Sequence, residues 1–148
     1  MSKLGNYVQE AYDELLHKVS WPSWDELQQT TIIVLAARRE VRNVVREALR
    51  PMGLMVDFVQ SIGECREFCQ GGLPHAIVHE SALGGEKFES LRAELLKEMP
   101  ALVFIELSEQ GHGYQVREVG GRHFASVNRD ALVEALPAAL MFELSRAR

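Results

Sequence analysis

Residues 18–37, KVSWPSWDELQQTTIIVLAA, decide the fold, because they begin like the approach to a membrane-spanning segment. The apolar run at their end, Ile32–Ala37, is six residues long. A bilayer span requires about 20 residues. Arg38 and Arg39 end the run, and a soluble amphipathic pattern follows. The β-branched residues suit a buried strand, so we predict a strand at Thr31–Leu35 rather than a transmembrane helix.

The segment before this strand is predicted to be helical. Apolar residues recur at steps of three and four along Leu4–Val19, which is typical of an amphipathic helix. Trp21-Pro22 ends it, because the residue before a proline avoids the α conformation. Ser23 then predicts the N-cap of a short helix, with Glu26 completing a capping box. The N-terminus lacks the order of charged and apolar regions of a secretory signal, so we expect a cytoplasmic protein.

The segment after Ala37 alternates between helical and strand patterns. Strands separated by single helices, and apolar enough to be buried on both faces, imply a parallel sheet covered on both sides. We therefore predict a helical appendage at 1–30 and a five-stranded, flavodoxin-like (βα)5 domain of the α/β class at 31–148. Segment 108–122 contains four glycines and predicts only a degenerate helix or an irregular crossover. Strands are expected at 31–35, 54–59, 76–78, 101–107 and 123–127, and helices at 38–50, 61–69, 84–99 and 130–146.

The composition restricts the class of partner. The chain has 148 residues, enough for one domain with a real core, and a formal charge of −5. A nucleic-acid binder needs a basic surface to neutralise phosphates, so we expect no nucleic-acid partner. The exception is a local series of arginines at Arg38, Arg39, Arg42, Arg46 and Arg50.

Candidate metal ligands and catalytic groups are few. Cys65 and Cys69 lie four residues apart without a CxxC pair, so we expect two buried thiols and no disulfide. His75 and His79 would point to one face of a strand, but no third ligand accompanies them. We predict no metal, no cofactor and no catalytic residue. A small-molecule enzyme with its ligand above the carboxyl ends of the strands stays an alternative by analogy with the fold.

The first 37 residues resemble SecE, the small subunit of the bacterial protein-conducting channel. The resemblance rests on ELLHKV at 14–19, a Trp-Pro-Ser hinge, and Glu26-Leu27 leading to an aliphatic run. It implies a helix that lies on the cytoplasmic membrane face, followed by a crossing helix that is missing here. Contact with the membrane or translocon would then run through residues 1–30. The residues that carry this motif are Lys18, Val19, Trp21, Pro22 and Trp24.

Residues 31–146 resemble a response-regulator receiver domain, most clearly in REVRNVVREAL at 39–49 and in the order of strands and helices. The resemblance implies an acidic pair after the first strand for Mg²⁺ and a phosphoryl-accepting aspartate after the third. It also implies a hydroxyl after the fourth strand and a lysine after the fifth. In this chain the five positions fall on Ala36, Ala37, Glu80, Ile105 and Val127.

These replacements predict a degenerate phosphoacceptor pocket. Mg²⁺ requires oxygen ligands, and phosphoryl transfer requires charge stabilisation, which alanine, isoleucine and valine side chains do not provide. We expect no phosphorylation at Glu80. Its permanent carboxylate would pair with Arg38, Arg39 or Arg122 and hold one fixed signalling state; a solvated acid at the end of a strand is the alternative.

The last helix is apolar around nearly its whole circumference, whereas a helix on a sheet needs one apolar stripe. We expect a second buried surface, covered by a partner or by the N-terminal helix; a greasy exposed helix is the plainer alternative. Pro137 removes one hydrogen bond there. Receiver domains often dimerise through this helix, so the resemblance implies a homodimer. The candidate interaction surface is Leu132, Leu136, Leu140 and Phe142.

Together these patterns predict a non-catalytic pseudo-receiver that acts as an interaction or dimerisation module in bacterial two-component-type signalling. Its partner would be a histidine kinase, another signalling protein or a second copy. The alternative is a SecE-type translocase subunit at the cytoplasmic membrane face, which would add a peripheral location at the inner membrane to the cytoplasmic one.

Overall fold

The computed structural model describes residues 22–81 and 85–147. The amphipathic helix predicted at Leu4–Val19, with Lys18 and Val19, and the hinge residue Trp21 lie outside these residues. Helix α1 covers Trp24–Gln28 and has the predicted capping box. The Ser23 hydroxyl accepts from the Glu26 N–H at 3.1 Å, and the Glu26 carboxylate accepts from the Ser23 N–H at 3.4 Å. The local prediction for this helix is confirmed.

The bounds of the strands are β1 Thr31–Leu35, β2 Met55–Val59, β3 Ala76–Glu80, β4 Val103–Ser108, β5 Tyr114–Val119 and β6 Arg122–Asn128. The bounds of the longer helices are α2 Arg39–Leu49, α3 Ile62–Gln70, α4 Gly85–Glu98 and α5 Leu132–Arg146. Strands and helices alternate from β1 to β4, as predicted, and β4, β5 and β6 then follow one another before the last helix.

The sheet has the order β2-β1-β3-β4-β6-β5. The strands β2, β1, β3, β4 and β6 are parallel to one another. The α/β class is confirmed, but the sheet has six strands rather than five. The prediction for segment 108–122 was wrong, since β5 pairs with β6 in antiparallel register from Tyr114↔Val127 to Val119↔Arg122. Gly120 and Gly121 have φ of 58° and 78°, the left-handed conformation that a two-residue hairpin turn requires. The glycines therefore form a hairpin and not a crossover.

Strand β1 lies in the centre of the sheet and is buried on both faces. Ile32 and Val34 pack with residues of α2 and α5, while Ile33 and Leu35 pack with residues of α3 and α4. These four side chains are at most 1% exposed, which explains why the run is apolar without alternation. In the part of the chain that the structure covers, no helix combines the length and apolarity of a membrane span.

Helix α5 corrects the predicted interaction surface. Leu132, Leu136 and Leu140 are 2%, 0% and 0% exposed and belong to the core, so they do not form a free surface. Phe142 is half-buried, with its ring 6.1 Å from that of Tyr114 on β5. The helix is apolar on several sides because it packs on α2, on the sheet and on the β5–β6 hairpin at once.

Candidate functional site

The site begins where β1 ends, at the carboxyl edge of the parallel strands. Ala36 is fully buried and donates its N–H to the Val59 carbonyl at 3.0 Å, and Ala37 is exposed. Nη1 of Arg42, one turn into α2, donates to the carbonyls of both Ala36 and Ala37 at 2.9 Å. A fixed cation therefore binds the backbone oxygens at the position where the receiver resemblance implies Mg²⁺.

Glu80 ends β3 at the same edge and is 3% exposed. Its Oε2 accepts from Nε of Arg38 at 2.7 Å, and its Oε1 accepts from the Arg38 N–H at 3.2 Å. The hydrogen bond to Glu80 raises the pKa of the Arg38 guanidinium above its ordinary value. Glu80 is thus paired with the first of the three predicted arginines and is not a solvated acid. Arg122 instead lies 3.5 Å from Glu89.

Two further charged residues extend this pair, and sequence reasoning missed both. Nη2 of Arg38 lies 3.4 Å from the Glu109 carboxylate, to which Nη1 of Arg129 also donates at 2.8 Å. Glu109 directly follows β4 and Arg129 directly follows β6. Their positions after the carboxyl ends of two strands were the available signal, because such ends meet at one edge of a parallel sheet.

The register of the sheet corrects one pocket position. Ile105 pairs with Val78, two residues before Glu80, and is fully buried among apolar side chains. The residue beside Glu80 is Leu107, which also pairs with Val127. Val127, on β6 beyond β4, is buried too, so neither β4 nor β6 places a charged side chain level with Glu80.

A side-chain hydroxyl lies one residue after Leu107, at Ser108. It is the last residue of β4, and its Oγ accepts from the N–H of Gln110 at 3.0 Å. Ser108, three residues after Ile105, thus supplies a hydroxyl at the carboxyl end of β4.

The histidine and cysteine candidates form no metal site. Within residues 22–81 and 85–147, no cluster of three or more His, Cys, Asp or Glu side chains suits a metal ion. The His75 ring accepts from the Thr31 N–H at 3.0 Å, and His79 is 6% exposed with its ring 4.1 Å from Phe88. Cys65 and Cys69 are buried in α3 as free thiols, and the hydrogen bond with Cys69 together with burial raises the pKa of Cys65.

Solved structures with a similar fold are receiver domains. A CheY-like receiver domain protein from Methanospirillum hungatei is 11% identical, with a TM-score of 0.63 over 80% of this chain and 95% of that chain. A two-component response regulator from Clostridium difficile is 13% identical, with a TM-score of 0.61 over 79% and 97%. The N-terminal domain of a response regulator/sensory box/GGDEF protein from Carboxydothermus hydrogenoformans is 16% identical, with a TM-score of 0.60 over 78% and 94%. The chain has the fold of a receiver domain.

The sequence comparisons add one short match. Residues 5–38 match the family of SecE/Sec61-gamma subunits of protein translocation complexes. Its last residues form β1 and the turn into α2, so the aliphatic part of the match is a central strand in this fold. No curated protein matches the chain.

Proposed function

We propose that the protein is a receiver-like module that is not phosphorylated and that acts through protein contacts in two-component-type signalling. The observation that carries the proposal is the state of Glu80. Both of its carboxylate oxygens accept hydrogen bonds from Arg38, so the edge where a receiver would accept a phosphoryl group already holds a closed ion pair.

The surroundings of Glu80 support this proposal. Phosphoryl transfer needs a divalent cation that bridges carboxylate and phosphoryl oxygens. Here the side chains after β1 are those of alanines, and Arg42 occupies their carbonyl oxygens. A divalent cation would have to displace the guanidinium and bind without a carboxylate from this strand. The site is accordingly unsuited to binding a metal ion and to forming an acyl phosphate.

A fixed ion pair implies a fixed surface. Arg38 connects Glu80 to Glu109, and Glu109 connects to Arg129 at the start of the segment into α5. The ends of β1, β3, β4 and β6 are joined in this way without a ligand or a modification. The module would then present one conformation to its partner, a histidine kinase, another signalling protein or a second copy.

Treatment with acetyl phosphate and Mg²⁺ tests the absence of phosphorylation, with intact-protein mass spectrometry as the measurement. We expect no mass increase, while a phosphorylatable receiver domain in the same tube gains one phosphoryl group. A phosphorylated form of this chain that disappears in Glu80→Gln would refute the proposal.

The fixed-state part is tested separately with Glu80→Gln, because an amide leaves one Arg38 donor facing an NH₂ group. We expect lower stability in urea unfolding and changed backbone NMR shifts at the ends of β1, β4 and β6. Glu47→Gln is the matched control, since it removes an exposed pair with Arg50 on α2. Unchanged stability and shifts in Glu80→Gln would contradict a fixed state held by this pair.

A second candidate function is a translocase-associated protein, favoured by the SecE match at residues 5–38. It would place residues 1–30 against the membrane surface or the translocon. Flotation of the full chain with anionic liposomes, compared with a chain that lacks residues 1–21, tests this function. Association that depends on those residues supports it, and equal recovery of both chains in the unbound fraction counts against it.

A further inference from the structure

A cavity of about 140 Å³ lies between α4 and the sheet, on the face opposite α2 and α5. The apolar part of the cavity wall consists of Phe88, Phe104 and Phe124. The rings of Phe88 and Phe104 pack edge to face, with their centroids 6.2 Å apart. Polar wall is supplied by side chains of α4, β4 and β6, among them Arg92 and Glu106. The cavity thus combines three aromatic rings with several charged side chains, and convergent polar groups of this kind fix the orientation of a small molecule in a binding site.

Arg92 is the unusual member of this wall, because it is a buried guanidinium without an ion pair among the residues that the structure describes. It is 7% exposed, and only its Nη2 has an acceptor, the His123 carbonyl at 3.1 Å. Nε and Nη1 are buried without a hydrogen-bond partner. The guanidinium lies 4.3 Å from the ring centre of Phe124 and 5.2 Å from that of Phe104. Buried donors of this kind are rare in native proteins unless an ion, ligand or water satisfies them.

Glu106 is the complementary member. It is half-buried in β4, lies in register with His79 and Ser126, and has no ion pair with the described part of the chain. The other acids of the wall are neutralised, because Glu80 is paired with Arg38 and Glu89 lies 3.5 Å from Arg122. One buried cation and one half-buried carboxylate, neither of them in an ion pair with the described residues, therefore line the same small cavity.

We propose that this cavity binds a small zwitterion of the α-amino acid class. Its carboxylate would take the free donors of Arg92, a guanidinium geometry that suits planar carboxylates, and its ammonium group would bind Glu106. The phenyl rings would hold an apolar side chain. Arg117, exposed on β5 at the rim, adds a second donor for the carboxylate. A phosphate would place two negative charges next to the unpaired Glu106 carboxylate, which disfavours it.

Isothermal titration of the full chain tests this site, with the standard L-amino acids, acetate, methylammonium and inorganic phosphate as probes. We expect at least one apolar amino acid to bind about tenfold or more tightly than acetate and methylammonium, because it alone satisfies both charges. Glu106→Gln should weaken the amino acid about tenfold and leave acetate unchanged. Arg66→Gln is the matched control, since it removes an exposed arginine of α3 outside the cavity.

The NMR signal of the Arg92 Nε–H gives a second readout that requires no mutation. It should shift on titration with the amino acid that binds. No binding by any amino acid, or binding that leaves this signal in place, would overturn the proposal. Acetate that binds as tightly as the amino acid, or phosphate that binds more tightly, would also overturn it in favour of a simple anion site.

Discussion

Acid should destabilise this protein through His79, and the size of the effect follows from its position in the structure. The ring is 6% exposed, packed 4.1 Å from Phe88, and its Nδ1 donates to the Glu80 carbonyl at 3.3 Å. Burial, with a smaller contribution from the charge of Arg92, lowers the pKa of His79 to about 4. An unfolded chain restores the ordinary pKa of about 6.5.

The sign of the effect is fixed by which state binds the proton. Above about pH 6.5 the ring is neutral in both states and costs nothing. As the pH falls from about 6.5 towards 4, the unfolded chain takes up a proton that the folded chain does not, so stability is lost. The difference in pKa corresponds to about 2.5 kcal/mol of unfolding free energy lost by pH 4.5.

Urea unfolding followed by circular dichroism between about pH 7.5 and pH 4.5 measures this loss. His79→Gln should lose about 2.5 kcal/mol less than the unmodified chain over that range, because its amide does not titrate. His112→Gln, a change at an exposed loop residue, is the matched control and should follow the unmodified chain. Parallel curves for His79→Gln and the unmodified chain would refute the assigned role of burial.

Three further substitutions test a core side chain, a buried hydrogen bond and a helix cap. Leu136→Ala should lower the unfolding free energy by about 3 kcal/mol in denaturant unfolding, because this side chain is fully buried. An unchanged stability together with loss of a dimer would instead support the predicted role of Leu136 in an interaction surface. Tyr114→Phe should cost about 2 kcal/mol in the same assay, because the hydroxyl donates to the buried Glu143 carboxylate; no loss would show that the bond is not formed. Ser23→Ala should cost about 1 kcal/mol by removing the capping box with Glu26, and an unchanged melting temperature would count against it.

Three predictions that rest on local pattern are confirmed. The β-branched run at Thr31–Leu35 indicated a buried strand, and the spacing of apolar residues in Arg39–Leu49 indicated a helix with one buried face. Ser23 and Glu26 indicated a capping box, which involves residues three apart. Each of these features depends on the conformations of neighbouring residues, so the signal is contained in a short window.

Features that depend on contacts between distant residues were decided by the tertiary structure. The pairing of Glu80 with Arg38 joins residues 42 apart, and the sequence left three arginines as partners. The β5–β6 hairpin, from Tyr114 to Asn128, covers a second side of α5, for which the sequence analysis expected a partner or the N-terminal helix. Arg92 is buried on α4, and its place beside Phe104 and Phe124 depends on strands that are distant from it in the sequence.

The sequence by itself thus determined the order of strands and helices, apart from the β5–β6 hairpin, and the absence of acidic side chains directly after β1, because both are properties of residue type and local spacing. Only the tertiary structure decided which charges neutralise each other. Register and helix packing bring Arg38 to Glu80 and Arg122 near Glu89. They leave Arg92 and Glu106 beside one cavity without an ion pair to the described residues. Charge pairing needs two groups within a few ångströms, and a sequence records their identity but not their separation.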